Sequence, residues 1–201
     1  MPFENRTGDP QQEWYARGIS ESVVVALYKV PQIHITDETV FGKDWKTAVG
    51  NAKRVNEKNI HIAIQGWYTL AKNQLTVHTD IVEASNGKVR KTVITKTPTQ
   101  HPQEAISDIV TTLVKDLAVP LESRQETAIK HPISANFDTY RTTINAVRIF
   151  RQSTETTATN TTLLAQAETS FKRAISQDEK NAHAMYYLGR IYELREKMAE
   201  A

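Results

Sequence analysis

Tyr15, Ile19, Val23 and Leu27 recur every four residues, which marks one stripe of an amphipathic helix. Thr7-Gly8-Asp9-Pro10 leads into it: Asp9 can cap the helix, Pro10 suits its first position and Gln12 stands where a capping box places Glu or Gln. Gly18 is expected to separate a short first turn from the main helix, and Pro31 to end the element. Gln32 to Thr36, with Ile33 and Ile35 on one face, predicts a short strand. Trp45 to Glu57 predicts a second, more polar helix, with Trp45, Ala48, Val49, Ala52 and Val55 turned inward.

Period-two patterns follow. Ile60, Ile62 and Ile64 alternate with His61, Ala63 and Gln65; Leu75, Val77, Thr79 and Ile81 alternate with Thr76, His78, Asp80 and Val82; Lys88 to Lys96 is rich in Val and Thr. With a loop at Ala71-Lys72-Asn73 and an Asn-Gly turn at Asn86-Gly87, these predict a meander of three antiparallel strands. Ala105, Ile106, Ile109, Val110, Leu113, Val114 and Leu117 then return to helical spacing. After a polar stretch bracketed by Val119-Pro120 and His131-Pro132 the strand signals stop, and Phe137 to Phe150, Leu163 to Ser176 and Ala182 to Met198 predict three helices. A Thr- and Ser-rich loop, Gln152 to Asn160, separates the first two. The expected fold class is α+β, a mixed sheet with helices on one face, followed by an all-α helical-repeat segment. The expected division is residues 1–120 as the α/β domain, 121–133 as a linker and 134–201 as the helical segment.

Composition narrows the chemistry. The 201 residues are 39% hydrophobic and 24% charged, with 25 basic against 23 acidic side chains. That near balance gives no field for steering towards nucleic acid, and none is expected as a partner. Lys88, Arg90 and Lys91 form the densest basic cluster, which a solvated strand face explains. The absence of cysteine removes disulfides, thiolate nucleophiles and cysteine metal sites together. No apolar run reaches membrane-spanning length, so no direct membrane insertion is expected.

Residues 1–120 carry Pro2-Phe3-Glu4-Asn5, Gly8-Asp9-Pro10, Gln12-Glu13, Ala16-Arg17-Gly18-Ile19, Lys29-Val30-Pro31, Gln65-Gly66 and Val82-Glu83-Ala84-Ser85-Asn86-Gly87. In that order and spacing they resemble the TolB amino-terminal-like domain, related to FlgO-type and CsgG-like domains. The resemblance implies that Pro2-Phe3 ends a first β-strand central to the sheet, and that most of this strand lies upstream of Met1. The last part resembles tetratricopeptide repeats. Ala167, Phe171 and Ala174 fit the second helix of one repeat, and Leu188-Gly189 and Tyr192 fit the first helix of the next. Asp178-Glu179-Lys180-Asn181 stands where an Asp-Pro turn is usual, and Met185 replaces an aromatic residue. In that pattern Gly189 and Ala174 let backbones approach while Phe171 and Tyr192 fill the gaps. The final helix is then left with an apolar face carrying Met185, Leu188 and Tyr192 that nothing in the chain covers.

Candidates for catalysis are weak. None of the six histidines has a metal-ligand spacing; His61 and His78 could face each other on neighbouring strands, but two solvated strand residues explain them better. Asp37, Glu38 and Asp44 are explained by capping and solvation. Trp14, Tyr15, Trp45, Trp67 and Tyr68 suit a core better than a stacking platform. No phosphate loop or nucleophile elbow is present. The expectation is therefore a non-catalytic interaction or sensor module of a larger bacterial signalling protein, without metal or cofactor. By resemblance, such modules are attached to adenylate cyclases, serine/threonine kinases or winged-helix regulators, with the extracytoplasmic side of the membrane favoured. A protein partner or peptide would bind through the helical repeats, with self-association through the terminal helix as a second mode. The residues singled out for this are Tyr140, Ile144, Met185, Tyr186, Leu188, Arg190 and Tyr192. The alternative is a component of an envelope, flagellar or secretion-associated assembly.

Overall fold

The structure is a computed structural model that describes residues 3–36, 45–131, 133–134, 136–154 and 159–200. Asp37, Glu38 and Asp44 lie outside these, as do Met1 and Pro2 and the side chain of Trp45. The chain divides into two compact units, Met1–His131 and Pro132–Ala201. The fold is α+β: a four-stranded mixed sheet with helices in the first unit, and helices alone in the second.

In the first unit β1 (Glu4–Asn5) runs parallel to β2 (Ile62–Ala71), and β2, β3 (Gln74–Glu83) and β4 (Val89–Pro98) form the expected meander, in the order β1-β2-β3-β4. Among the described residues β1 is thus an edge strand and not a central one. The β2–β3 loop is the two-residue Lys72-Asn73, both at positive φ as a tight hairpin needs. The β3–β4 connection departs from the expected Asn-Gly turn. Only Gly87 has positive φ (72°); the Gly87 N–H reaches back to Glu83 O, and a register shift at Ile81/Val82 accommodates a longer loop. Ala84 is buried there, with its N–H on His61 O, and a two-residue turn would forfeit that contact.

The inner sheet face carries Tyr68, Leu75, Val77, Thr79 and Ile81, all buried. Helices α1 (Trp14–Leu27) and α4 (Pro102–Asp116) pack in this unit, with Tyr15, Ile19, Val23, Ile106, Ile109, Val110 and Leu113 buried. A short 3-10 turn, Pro10–Gln12, precedes α1, and Asp9 holds it by accepting from Gln11 N (2.8 Å) and Gln12 Nε2 (3.2 Å). Gly18 does not interrupt α1; it is buried within the continuous helix. The helix stops at Leu27, before Pro31. Tyr68 Oη donates to Gln12 O (2.8 Å) and Tyr15 Oη to Thr99 O (2.9 Å), fixing α1 on the sheet. Burial pushes the Tyr68 hydroxyl upward in pKa, so it remains a neutral donor.

Two further elements correct the sequence expectation. Residues 32–36 form no strand: Ile33 N–H closes a turn onto Val30 O, and Ile33 and Ile35 are only half-buried. The single helix expected over 45–57 is two short ones, α2 (Trp45–Ala48) and α3 (Ala52–Asn56). Gly50 breaks it at φ 87°, sending its N–H to Ala84 O, and Asn51 recaps α3 through Arg54 N. The segment expected as a linker, with room for a short helix, does contain one, α5 (Ser123–Ile129), started by a Glu122/Gln125 capping box. Ile129 is buried, and Lys29 Nζ donates to Ala128 O and His131 O, so residues up to His131 pack with the first unit.

The second unit holds α6 (Phe137–Thr154), α7 (Thr161–Gln177) and α8 (Ala182–Glu200). One core joins them: Ala146, Val147, Phe150, Leu164, Ala167, Phe171, Ala174, Ala184, Tyr187 and Ile191. Tyr187 stacks on Phe171 with ring centres 5.5 Å apart and planes 5° apart, and meets Phe150 edge-on at 5.2 Å. No helix among the described residues is long and apolar enough to cross a membrane.

Candidate functional site

The candidate surface is on α8, and its geometry follows from which stripe of that helix is buried. Ala184, Tyr187 and Ile191 turn inward, at i, i+3 and i+7. Met185, Gly189 and Tyr192, one position further on, form a second stripe at i, i+4 and i+7 that stays in solvent. Met185 is 44% exposed and Tyr192 43%. A Cβ added to Gly189 would meet nothing within 4 Å, so the glycine leaves a notch between the two side chains. Leu188, half-buried, lies between the inner and outer stripes, and Tyr186, 55% exposed, flanks the outer one.

Charged groups frame this apolar strip. Arg190 Nη1 donates to Tyr186 Oη (3.2 Å), and its Nε pairs with Glu193 Oε2 (3.3 Å). These contacts push the guanidinium pKa further up, so the cation is permanent. Beside Tyr192, Lys172 Nζ lies 6.0 Å from the ring centroid. Lys172 and Arg195 both bind the Glu168 carboxylate, at 2.6 and 2.5 Å, and hold it below the ordinary glutamate range. This triad ties α7 to α8 beside Tyr192.

The singled-out residues therefore separate. Met185, Tyr186, Leu188, Arg190 and Tyr192 come together on α8. Tyr140 and Ile144 do not join them: they are 6% and 0% exposed on α6 and belong to the packing of their own unit. Two expected packing roles also change. Gly189 faces open space and Tyr192 faces solvent; the gap beside Phe171 is filled by Tyr187.

Elsewhere, His61 and His78 do not face each other. His78 stands opposite Trp67, and the rings stack with centroids 3.5 Å apart, while the Arg6 guanidinium lies 4.7 Å over the same indole. Trp67 is thus on the outer sheet face and not in the core; Trp14, Tyr15 and Tyr68 are buried as expected. Both residues near the indole were visible in the sequence, but the pairing that unites them was not. No group of three or more His, Asp or Glu among the described residues is placed to hold a metal ion. A shallow, open depression of about 800 Å³ on α6 and α7 is lined by Ile149 and by uncharged α7 residues including Thr161, Gln166, Thr169 and Ser170.

No protein-family model matches this chain. Over 89 residues it is 27% identical to a putative adenylate cyclase 3 from Rhizobium meliloti (strain 1021), a stretch that takes in 43% of this chain and 15% of that protein. The likeness is thus to a small part of a bacterial signalling protein.

Proposed function

We propose that this chain is a non-catalytic interaction and sensor module of a larger bacterial signalling protein, and that the outer strip of α8 docks a protein partner. The observation that carries the reading is the division of α8 into two apolar stripes. One is consumed by the core of its own unit. The other, Met185, Tyr186 and Tyr192 with the Gly189 notch, is large, partly aromatic and edged by Arg190, a composition typical of the centre of a protein interface. Such side chains cost solubility while leaving much of their apolar surface in water, so a binding role accounts for them. The likeness to a small part of an adenylate cyclase, and the resemblance of residues 1–120 to TolB amino-terminal-like domains and of the helices to tetratricopeptide repeats, support placing the module beside an effector domain.

A photo-crosslinking residue introduced in place of Tyr186 or Tyr192 in the living bacterium tests the docking strip. A discrete protein adduct from both positions, absent when the crosslinker replaces Thr169 on α7, is the expected result; no adduct from α8 would overturn the docking role. The purified chain is expected to form no cyclic AMP from ATP with magnesium or manganese, and turnover above the protein-free control would overturn the non-catalytic role.

A further inference from the structure

Strand β4 is an edge of the sheet, and among the described residues no strand lies beyond it. It is ten residues long, from Val89 to Pro98. Its pairing with β3 is regular from Gln74↔Pro98 through Ile81↔Lys91. In such a strand alternate residues turn their N–H and C=O groups away from the neighbour, leaving a ready template for another chain. Pro98 fits the edge position, since it has no N–H to donate.

Edges are commonly protected by lysine, by shortness or by bulges. Here lysines are present, but the strand is long, the register shift is confined to one end, and Ile94 at its middle is 56% exposed. Residues 88–98 contain Lys88, Arg90, Lys91 and Lys96 and no carboxylate. Arg90 is engaged by Asp116 at 3.2 Å, while Lys88, Lys91 and Lys96 are exposed. A second copy of the chain is a poor occupant. Antiparallel self-pairing of β4, centred on Val93 or on Ile94, brings the two carboxylate-free cationic segments together in either register.

We propose that the β4 edge receives, by strand addition, an extended acidic segment of a protein partner. Main-chain hydrogen bonds to the open edge supply the docking. Lys91, across from Ile81, and Lys96, across from Thr76, lie on opposite faces of the sheet, so the segment offers a carboxylate on each face, and an apolar side chain covers Ile94 on the Lys96 face. This site is separate from the α8 strip and does not depend on it.

The test uses the full chain and a fluorescent peptide Glu-Thr-Val-Thr-Thr-Glu, whose Glu, Val and Glu fall opposite Lys96, Ile94 and Lys91 in antiparallel addition, with Lys-Thr-Val-Thr-Thr-Lys, poly-aspartate and single-stranded DNA as comparisons. Binding is read by anisotropy and by amide hydrogen exchange. The acidic strand-forming peptide is expected to bind, and the edge amides of β4 to exchange about tenfold more slowly in its presence. Lys91→Gln/Lys96→Gln, and separately Lys91→Glu/Lys96→Glu, are expected to weaken binding by about tenfold or more, the neutral pair serving where charge reversal disturbs folding. Absence of binding overturns the proposal. So does equal binding of poly-aspartate or DNA without β4 protection, since that is charge alone. Protection of β4 that rises with chain concentration and no peptide overturns it in favour of self-association.

Discussion

Asn181 Nδ2 donates to Thr143 Oγ1 at 2.8 Å, across 38 residues of sequence, with both side chains fully buried. Asn181 Oδ1 accepts from Ala184 N at 3.0 Å, and Thr143 Oγ1 in turn donates to Thr139 O at 2.8 Å. One amide thereby caps the start of α8 and fastens it to α6. It holds the start of α8 against α6 inside the second unit.

Replacing Asn181 by Ala removes the cap and leaves the Thr143 hydroxyl without its donor. The expected loss is about 2 kcal/mol, read from denaturant unfolding of the whole chain. Asn181→Asp keeps the cap but cannot donate to Thr143 when ionised, and should lie between the two.

The two stripes of α8 predict opposite mutational costs. Ile191→Ala opens a cavity in the core and should cost about 3 kcal/mol. Tyr192→Ala or Met185→Ala, one position away in each case from a buried residue, should shift stability by no more than about 0.5 kcal/mol. Thermal melts of the three variants measured together check this.

Much of that division could not be seen in the sequence. Residues 184–192 offer apolar or aromatic side chains at 184, 185, 186, 187, 188, 191 and 192, so two overlapping stripes satisfy helical spacing equally well. The choice between them is made by tertiary packing, where Tyr187 stacks on Phe171. Tyr140 and Ile144, singled out for partner binding, are buried on α6 for the same reason: periodicity shows that a helix has an apolar face, not whether a neighbour already covers it. Long periodic elements such as α1, α4 and the meander were legible, because local pattern and burial agree there. The misread segments were short. Residues 32–36 alternate like a strand but find no sheet partner, and the pattern over 45–57 hid the break that Gly50 makes by bonding to Ala84.

Gly66 on β2 predicts a sharp steric cost. A Cβ there would stand 2.0 Å from His78 O and 2.6 Å from Phe3 Cε1. Gly66→Ala should destabilise the first unit by about 3 kcal/mol, and Phe3→Ala combined with it should recover little, because the backbone oxygen cannot yield. Equilibrium unfolding followed by tryptophan fluorescence reports it.

Acid should loosen the second unit through Glu168. Lys172 and Arg195 lower its folded-state pKa below the unfolded value, so the ion triad stabilises fully above the ordinary glutamate range and is lost as the pH falls through the lowered folded value. Glu168→Gln should be less stable than the parent at neutral pH, and the gap should close as the pH falls below the ordinary glutamate range. Urea midpoints of both proteins across that range decide it; a gap independent of pH would assign the loss to packing instead.

The cysteine-free chain allows the central claim to be measured directly with Ala184→Cys and Met185→Cys, neighbours on α8 that face opposite ways. Thiol labelling of the purified chain should be fast at 185 and slow at 184. In native bacterial extract the 185 thiol should become protected while 184 stays as it was. Equal labelling at both positions in the purified chain, or an unchanged rate at 185 in the extract, would contradict the account.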